Sequence, residues 1–160
     1  MSHYQITRRL KSSIVMASWS GSNGSMTVNS PVPFDTLTDL QGTAASSISI
    51  SSSEITLPSG YWWFIKGSPQ CYLTYDYSNV RYAWRDTTSN SQYGRSGFII
   101  TQESGQNQGG DELACALIDC TSSSVTVTLN VESLTYASNF NSSTSPGYSG
   151  KTRAILWRLG

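Results

Sequence analysis

Ten residues in the second half of the chain, SVTVTLNVES (Ser124–Ser133), limit the fold more than any other stretch. Val125, Val127, Leu129 and Val131 alternate strictly with Thr126, Thr128, Asn130 and Glu132. Successive side chains of a strand point to opposite faces, so this period of two describes a strand with one face in a core and one in water. An α-helix would scatter the four apolar residues around its circumference. Val125, Val127 and Leu129 are therefore expected in a core. The same alternation places Ile48 and Ile50 on one face of SSISISS, and Ile55 with Leu57 in SEITLPSG. DELACALIDC reads as a further strand, and TRAILWRL as a closing strand with Ile155, Trp157 and Leu159 on one side. No long 3.6-residue periodicity competes with these, and no internal repeat occurs. Between the strands lie Gly, Asn and Ser-rich connections such as TTSNSQYGRSG, ESGQNQGGDE and NFNSSTSPGYSG. Short strands at near-regular spacing with such loops predict an all-β antiparallel sandwich or jelly roll.

A chain of 160 residues is long enough to bury one core without staples. Its 10 basic and 10 acidic residues balance, so no global field draws it to nucleic acid or to an anionic membrane. A partner must be recognised locally. Nothing approaches the run of about twenty apolar residues that a spanning helix needs, and IVMA after RRLKSS is too short for a secretory core; the chain is expected not to be exported. Cys71, Cys115 and Cys120 have no zinc-ligand spacing and are expected as buried reduced thiols, with a Cys115–Cys120 bridge as the alternative.

Residues 1–33 differ from the rest. His3, Arg8, Arg9 and Lys11 precede the first acidic residue, Asp35. Ile6, Leu10 and Ile14 fit one helical face, whereas SIVMASW and MTVN fit a hairpin around Gly21 to Gly24. Either way, residues 1–33 read as a basic anchoring arm ahead of a domain at 34–160.

Catalytic constellations are thin. The single histidine, His3, lies close to the terminus, a poor platform for nucleophilic catalysis. No spacing singles out a carboxylate pair, and GGDE (Gly109–Glu112) lacks the ligand spacing of a calcium loop. Neither enzyme nor cofactor is expected, and no metal site. The interleaved run CYLTYDYSNVRYAWR makes Tyr75, Tyr77 and Tyr82 candidate ligand-facing aromatics for a host-surface glycan, against the alternative that they pack across strands.

The remaining puzzle is GYWWFI. From Tyr61 to Ile65 the apolar residues run without a break. With ITLPSG before it, this segment resembles the third major strand of the tumour necrosis factor and complement-type globular heads, which enters through a proline and a glycine and carries aromatics two and four residues after the glycine. Here Gly60 precedes Trp62 and Phe64, with Trp62 where the family usually has tyrosine. PFDTL (Pro33–Leu37) and SISISSSEIT fit that family's first strands, and TRAILWRL its closing strand. Similar phrases, of the form LTLPAGxYxIxASxP and a terminal IWKL, recur in small tailed-phage structural proteins. ITLPSGYWWFIKGSP (Ile55–Pro69) and ILWRL (Ile155–Leu159) match them.

The resemblance implies a jelly roll that assembles as a homotrimer with the inner sheets facing one another. A strand there buries one row in its own core and the other against neighbours, so alternation is lost; the alternative is a central strand of a thick monomeric sandwich, apolar on both faces under a covering loop. The family alignment assigns Trp62 and Phe64 to the subunit core, and Tyr61, Trp63 and Ile65 to the trimer interface; Trp157 of the closing strand is expected in the core as well. It also implies a virion protein: a capsid decoration or cement protein on the phage head, assembled in the host cytoplasm, with Arg8, Arg9 and Lys11 against the major capsid protein lattice. The other reading is a receptor- or glycan-binding knob of a head or tail fibre. A fibre tip usually ends a chain with collagen-like, coiled or β-helical repeats, and none is present here, which favours decoration.

Overall fold

The computed structural model describes residues 13–21, 23–73, 78–100, 106–109, 112–136, 138–141 and 152–159. In chain order the strands are β1 (Ser13–Ser18), β2 (Asn23–Ser25), β3 (Thr36–Gln41), β4 (Ser49–Ser51), β5 (Glu54–Leu57), β6 (Trp62–Ser68), β7 (Gln70–Leu73), β8 (Asn79–Asp86), β9 (Gln92–Ile100), β10 (Gln106–Gly109), β11 (Ala114–Asp119), β12 (Val125–Thr135), β13 (Ser138–Asn141) and β14 (Arg153–Leu159). One 3-10 turn, Ala45–Ser47, interrupts them. No helix among the described residues is long and apolar enough to cross a membrane.

Ten strands pair in the order β3-β1-β14-β6-β11-β9-β8-β12-β5-β4, and four more as β10-β7-β13-β2. Every strand pairing among the described residues is antiparallel, as expected of an antiparallel sandwich. Between β11 and β9 the ladder is reduced to Cys115 opposite Arg95, with an isolated Phe98–Glu112 bridge beyond it. That thin seam divides the ten strands into two leaves: a first leaf, β3-β1-β14-β6-β11, and a second leaf, β9-β8-β12-β5-β4. Gly97 permits the close crossing there, because a Cβ at that position would collide with the Glu112 carbonyl, the Ala114 amide and the Tyr82 ring.

The core lies between the leaves. The first leaf contributes small inward residues, Ala17, Ala114, Ala116 and Ala154, beside Trp63, Ile65 and Leu156; the second contributes Tyr82, Trp84, Val127, Leu129 and Val131. Small residues opposite large ones let the leaves interdigitate at the density of a protein interior. The buried rings also satisfy their polar atoms. Trp84 Nε1 donates to the Ala114 carbonyl at 3.1 Å, Trp63 Nε1 to Pro58 at 3.4 Å, and the Tyr82 hydroxyl to Glu112 at 2.7 Å. Phe34 stacks on Trp84 with centroids 6.3 Å apart and planes at 10°.

Several expectations change. Ser13–Ser18 is no part of an arm or hairpin: β1 is inserted between β14 and β3, and β2 pairs with β13 in the four-stranded sheet. Alternation in SIVMAS carries this, since Val15 and Ala17 are fully buried while Ile14 and Met16 face away. An arm can therefore comprise only residues 1–12, and Arg8, Arg9 and Lys11 lie outside the described residues, as do Tyr75 and Tyr77. Tyr82 is not ligand-facing but fully buried. The two rows of β6 are exchanged: Trp63 and Ile65 are fully buried within the subunit, while Trp62 is 41% exposed and Phe64 and Trp157 are half-buried on the outside. Trp63 and Ile65 cannot be the surface that meets another subunit. Val127 and Leu129 lie in the core, with Val125 half-buried at the strand's start. All three thiols are free; Cys71 and Cys120 are buried, but Cys115 is only half-buried. Burial pushes the Cys71 and Cys120 thiols up, away from the reactive thiolate.

Candidate assembly face

The first leaf has a second side, and that side is apolar. The turn that starts β6 fixes which residues reach it. Gly60 adopts φ +92, a conformation that side chains disfavour, and its amide donates to the Cys120 carbonyl at 2.8 Å while the Cys120 amide returns a bond to Tyr61 at 3.0 Å. Beside this clamp Tyr61 is half-buried under the Arg158 guanidinium, 4.7 Å from its ring centroid, and Arg158 Nη2 donates to Ser13 Oγ at 3.0 Å. From there β6 alternates, so Trp62, Phe64 and Lys66 point away from the core.

Cross-strand register aligns these residues with like neighbours. Phe64 stands opposite Trp157 on one side and Leu117 on the other, and Trp157 opposite Ile14, giving the line Ile14, Trp157, Phe64, Leu117 across four strands. One step along, Met16, Ile155, Lys66 and Cys115 form a second line. In the other direction Leu159 and Trp62 meet Asp119 at the border. The Phe64 and Trp157 rings lie 5.4 Å apart at 40°, and Lys66 Nζ sits 5.0 Å from the Trp157 ring centroid. Lysine here lays its hydrocarbon stem along the apolar surface and its charge against an aromatic face. Leu117 is 54% exposed and Leu159 42%.

Scattered surface apolar residues are ordinary, but a contiguous patch of this kind marks an interaction surface. Met16 and Leu117 carry no mark of their own in the sequence, and Ile14, which also fits a helical face with Ile6 and Leu10, belongs to β1 instead. In ACALID the sign is Asp119, which shares a row with Cys115 and Leu117 and so marks that row as the outer one, leaving Ala114, Ala116 and Ile118 inside.

The outer side of the second leaf is the opposite in character. Glu132 is gripped by Arg81 Nε at 3.0 Å and Arg85 Nη2 at 2.8 Å, and accepts from Ser96 Oγ at 3.0 Å. At the seam Arg95 pairs with Glu112. The two arginines of the tyrosine-rich run thus serve a surface ion-pair network. Among the described residues no three His, Cys, Asp or Glu side chains lie where they could share a metal ion.

No family model and no curated protein sequence matches the chain. Among solved structures it is similar to Eiger TNF from S. frugiperda, with a TM-score of 0.56, 6% identity, and coverage of 94% of this chain and 93% of that one. It also aligns with PRD1 vertex protein P5 at 15% identity over 94% of this chain and 97% of that one; a TM-score of 0.41 is too low to carry an argument. At 6% identity the first likeness shows the fold alone, a jelly roll of the tumour necrosis factor type.

Proposed function

We propose that this chain is a virion structural protein that acts as a homotrimer, most specifically a capsid decoration or cement protein that clamps a phage head. The observation that carries the proposal is the apolar outer side of the first leaf. Trp62, Phe64, Leu117, Trp157 and Leu159 present bulky side chains to solvent, and covering them with two further copies removes that surface from water at about 25 cal/mol per Å². An apolar, poorly charged patch is the composition of obligate homo-oligomer interfaces. The jelly-roll fold and the phage-like phrases at Ile55–Pro69 and Ile155–Leu159 support the trimeric virion reading.

In such a trimer the first leaves face inward and the polar second leaves face out. Stabilisation of the shell follows from mass action, since whatever binds only the assembled lattice adds about 2.7 kcal/mol to it at a hundredfold excess over Kd. Three identical contacts raise the avidity further. The basic residues Arg8, Arg9 and Lys11 would supply the anchor to acidic groups of the major capsid protein lattice. No catalytic step and no cofactor enters this role.

Co-sedimentation tests it. Purified protein should pellet with empty expanded capsids and not with host cells, and deletion of residues 1–12 should abolish pelleting while leaving the trimer intact. Pelleting with cells alone would overturn the decoration role in favour of a receptor- or glycan-binding knob.

A further inference from the structure

The outer side of the second leaf carries a small polar pocket of about 240 Å³, lined by Pro31, Glu54, Asp86, Thr87, Asn90, Thr128 and Asn130. Its walls are fixed elements. Thr128 and Asn130 belong to the outward row of β12, Glu54 opens β5, and Asp86 ends β8. Pro31 is held against Asn130 because the neighbouring backbone pairs with the free edge of β12, Val32 N to the Leu129 carbonyl at 2.7 Å and Val131 N to the Ser30 carbonyl at 3.0 Å.

The lining groups fall into two sets. Asp86 is spent: one oxygen accepts from the Thr88 and Ser89 amides at 2.8 and 2.7 Å, the other from the Tyr93 hydroxyl at 2.9 Å. Thr87 donates its hydroxyl to Thr126. By contrast the side chains of Glu54, Asn90, Thr128 and Asn130 hydrogen-bond to no described residue, and Asn130 Oδ1 is buried without a partner. An unsatisfied buried acceptor is costly. Two amides, a hydroxyl and a carboxylate thus line one pocket, Glu54 and Asn90 at its exposed rim and Thr128 and Asn130 on its inner wall, where the Asn130 Oδ1 acceptor has no partner.

From this lining we infer that the pocket binds one saccharide unit, uncharged or amino-substituted, through its hydroxyl groups. Sugar hydroxyls donate and accept at once, which matches a lining of amides and a hydroxyl. The volume falls below the range of about 300–1,000 Å³ of drug-sized sites, so it suits a single ring. A hard cation fits poorly, because it wants six or more oxygens and both Asp86 oxygens are already engaged. The carboxylates Glu54 and Asp86 disfavour anionic sugars. In the proposed trimer this side faces outward, but the inference does not depend on that assembly.

Saturation-transfer NMR on the full chain tests it, with glucose, galactose, mannose, N-acetylglucosamine and glucosamine as probes, and N-acetylneuraminic acid and calcium chloride as counter-probes. At least one of the five sugars should receive saturation. Asn130→Ala should weaken its binding about tenfold. Asn90→Gly, which keeps the positive φ of 55 at that position, should also weaken it and carries the test if Asn130→Ala fails to fold. Leu117→Ala, on the other leaf, should leave sugar binding unchanged whatever it does to assembly. No saturation of any of the five sugars, binding unaltered in both pocket variants, or preference for the anionic sugar or calcium would overturn the inference.

Discussion

The outer sides of the two leaves are built from the same kind of strand and have opposite chemistry. On the first, Ile14, Trp157, Phe64 and Leu117 line up across four strands with Lys66 as the charge among them. On the second, Thr126, Thr128, Asn130 and Glu132 follow one another along β12, and Arg81 and Arg85 close over Glu132. A sandwich needs only its inner rows to be apolar. The second leaf carries a polar outer row, with Thr128 buried and Glu132 held by two arginines, and a pocket, whereas the first leaf carries a second apolar row that leaves Trp62, Leu117 and Leu159 exposed. That difference is the reason to place assembly on one leaf and recognition on the other.

The largest effect expected from breaking this contrast lies in the core that both leaves share. Trp63→Ala removes a fully buried indole and should cost about 3–5 kcal/mol of stability by urea denaturation. An unchanged midpoint would return Trp63 to the surface. Phe64→Asp, one residue away on the outer row, should leave the fold intact and reduce the trimer to monomers in sedimentation equilibrium, because a charge then replaces a central apolar anchor in each of three copies. On the polar leaf, Glu132→Ala strands two arginines; with the Glu132 side chain only 11% exposed, a loss of about 1–2 kcal/mol in thermal or urea unfolding is expected, with no change of oligomeric state. Smallest is a pH effect. Hydrogen bonds from Ser89, Tyr93 and Thr88 hold Asp86 below the usual carboxylate range against a weaker desolvation, and Thr121 does the same for Asp119. For Asp35 desolvation is the largest single influence, but bonds from Ser20 and Thr36 together outweigh it. Folded-state values depressed in this way contribute stability above the unfolded carboxylate pKa of about 3.9, which is lost as pH falls through that value toward the folded ones. Tm should therefore decline below about pH 4, and Asp86→Asn should flatten the decline.

Much of this was legible in the residues where a strand has one wet side. Val127 and Leu129 read as core because Thr126, Thr128 and Asn130 mark the opposite row, and the closing strand at Arg153–Leu159 was equally plain. In β6 both rows are apolar, so parity alone could not say which faced inward, and the family alignment chose the wrong one. The deciding signal was Lys66. It shares its row with Trp62 and Phe64, and a lysine row points to solvent. The same rule would have placed Tyr82: Arg81 and Arg85 occupy the odd positions of β8, leaving Tyr82 and Trp84 on the inward side. Charge parity within a strand was the better guide than ring chemistry. The pocket was not legible at all, because Pro31, Glu54, Asp86, Asn90 and Asn130 come from segments that only the sheet topology brings together.

The central claim is that the row containing Phe64 and Trp157, rather than the row containing Trp63, meets other copies of the chain. Multi-angle light scattering on the wild-type protein and on Phe64→Asp tests it most directly. The account predicts three chain masses for the wild type and one for the variant, with the variant's circular dichroism unchanged. A monomeric wild type, or a Phe64→Asp protein that remains trimeric, would contradict it.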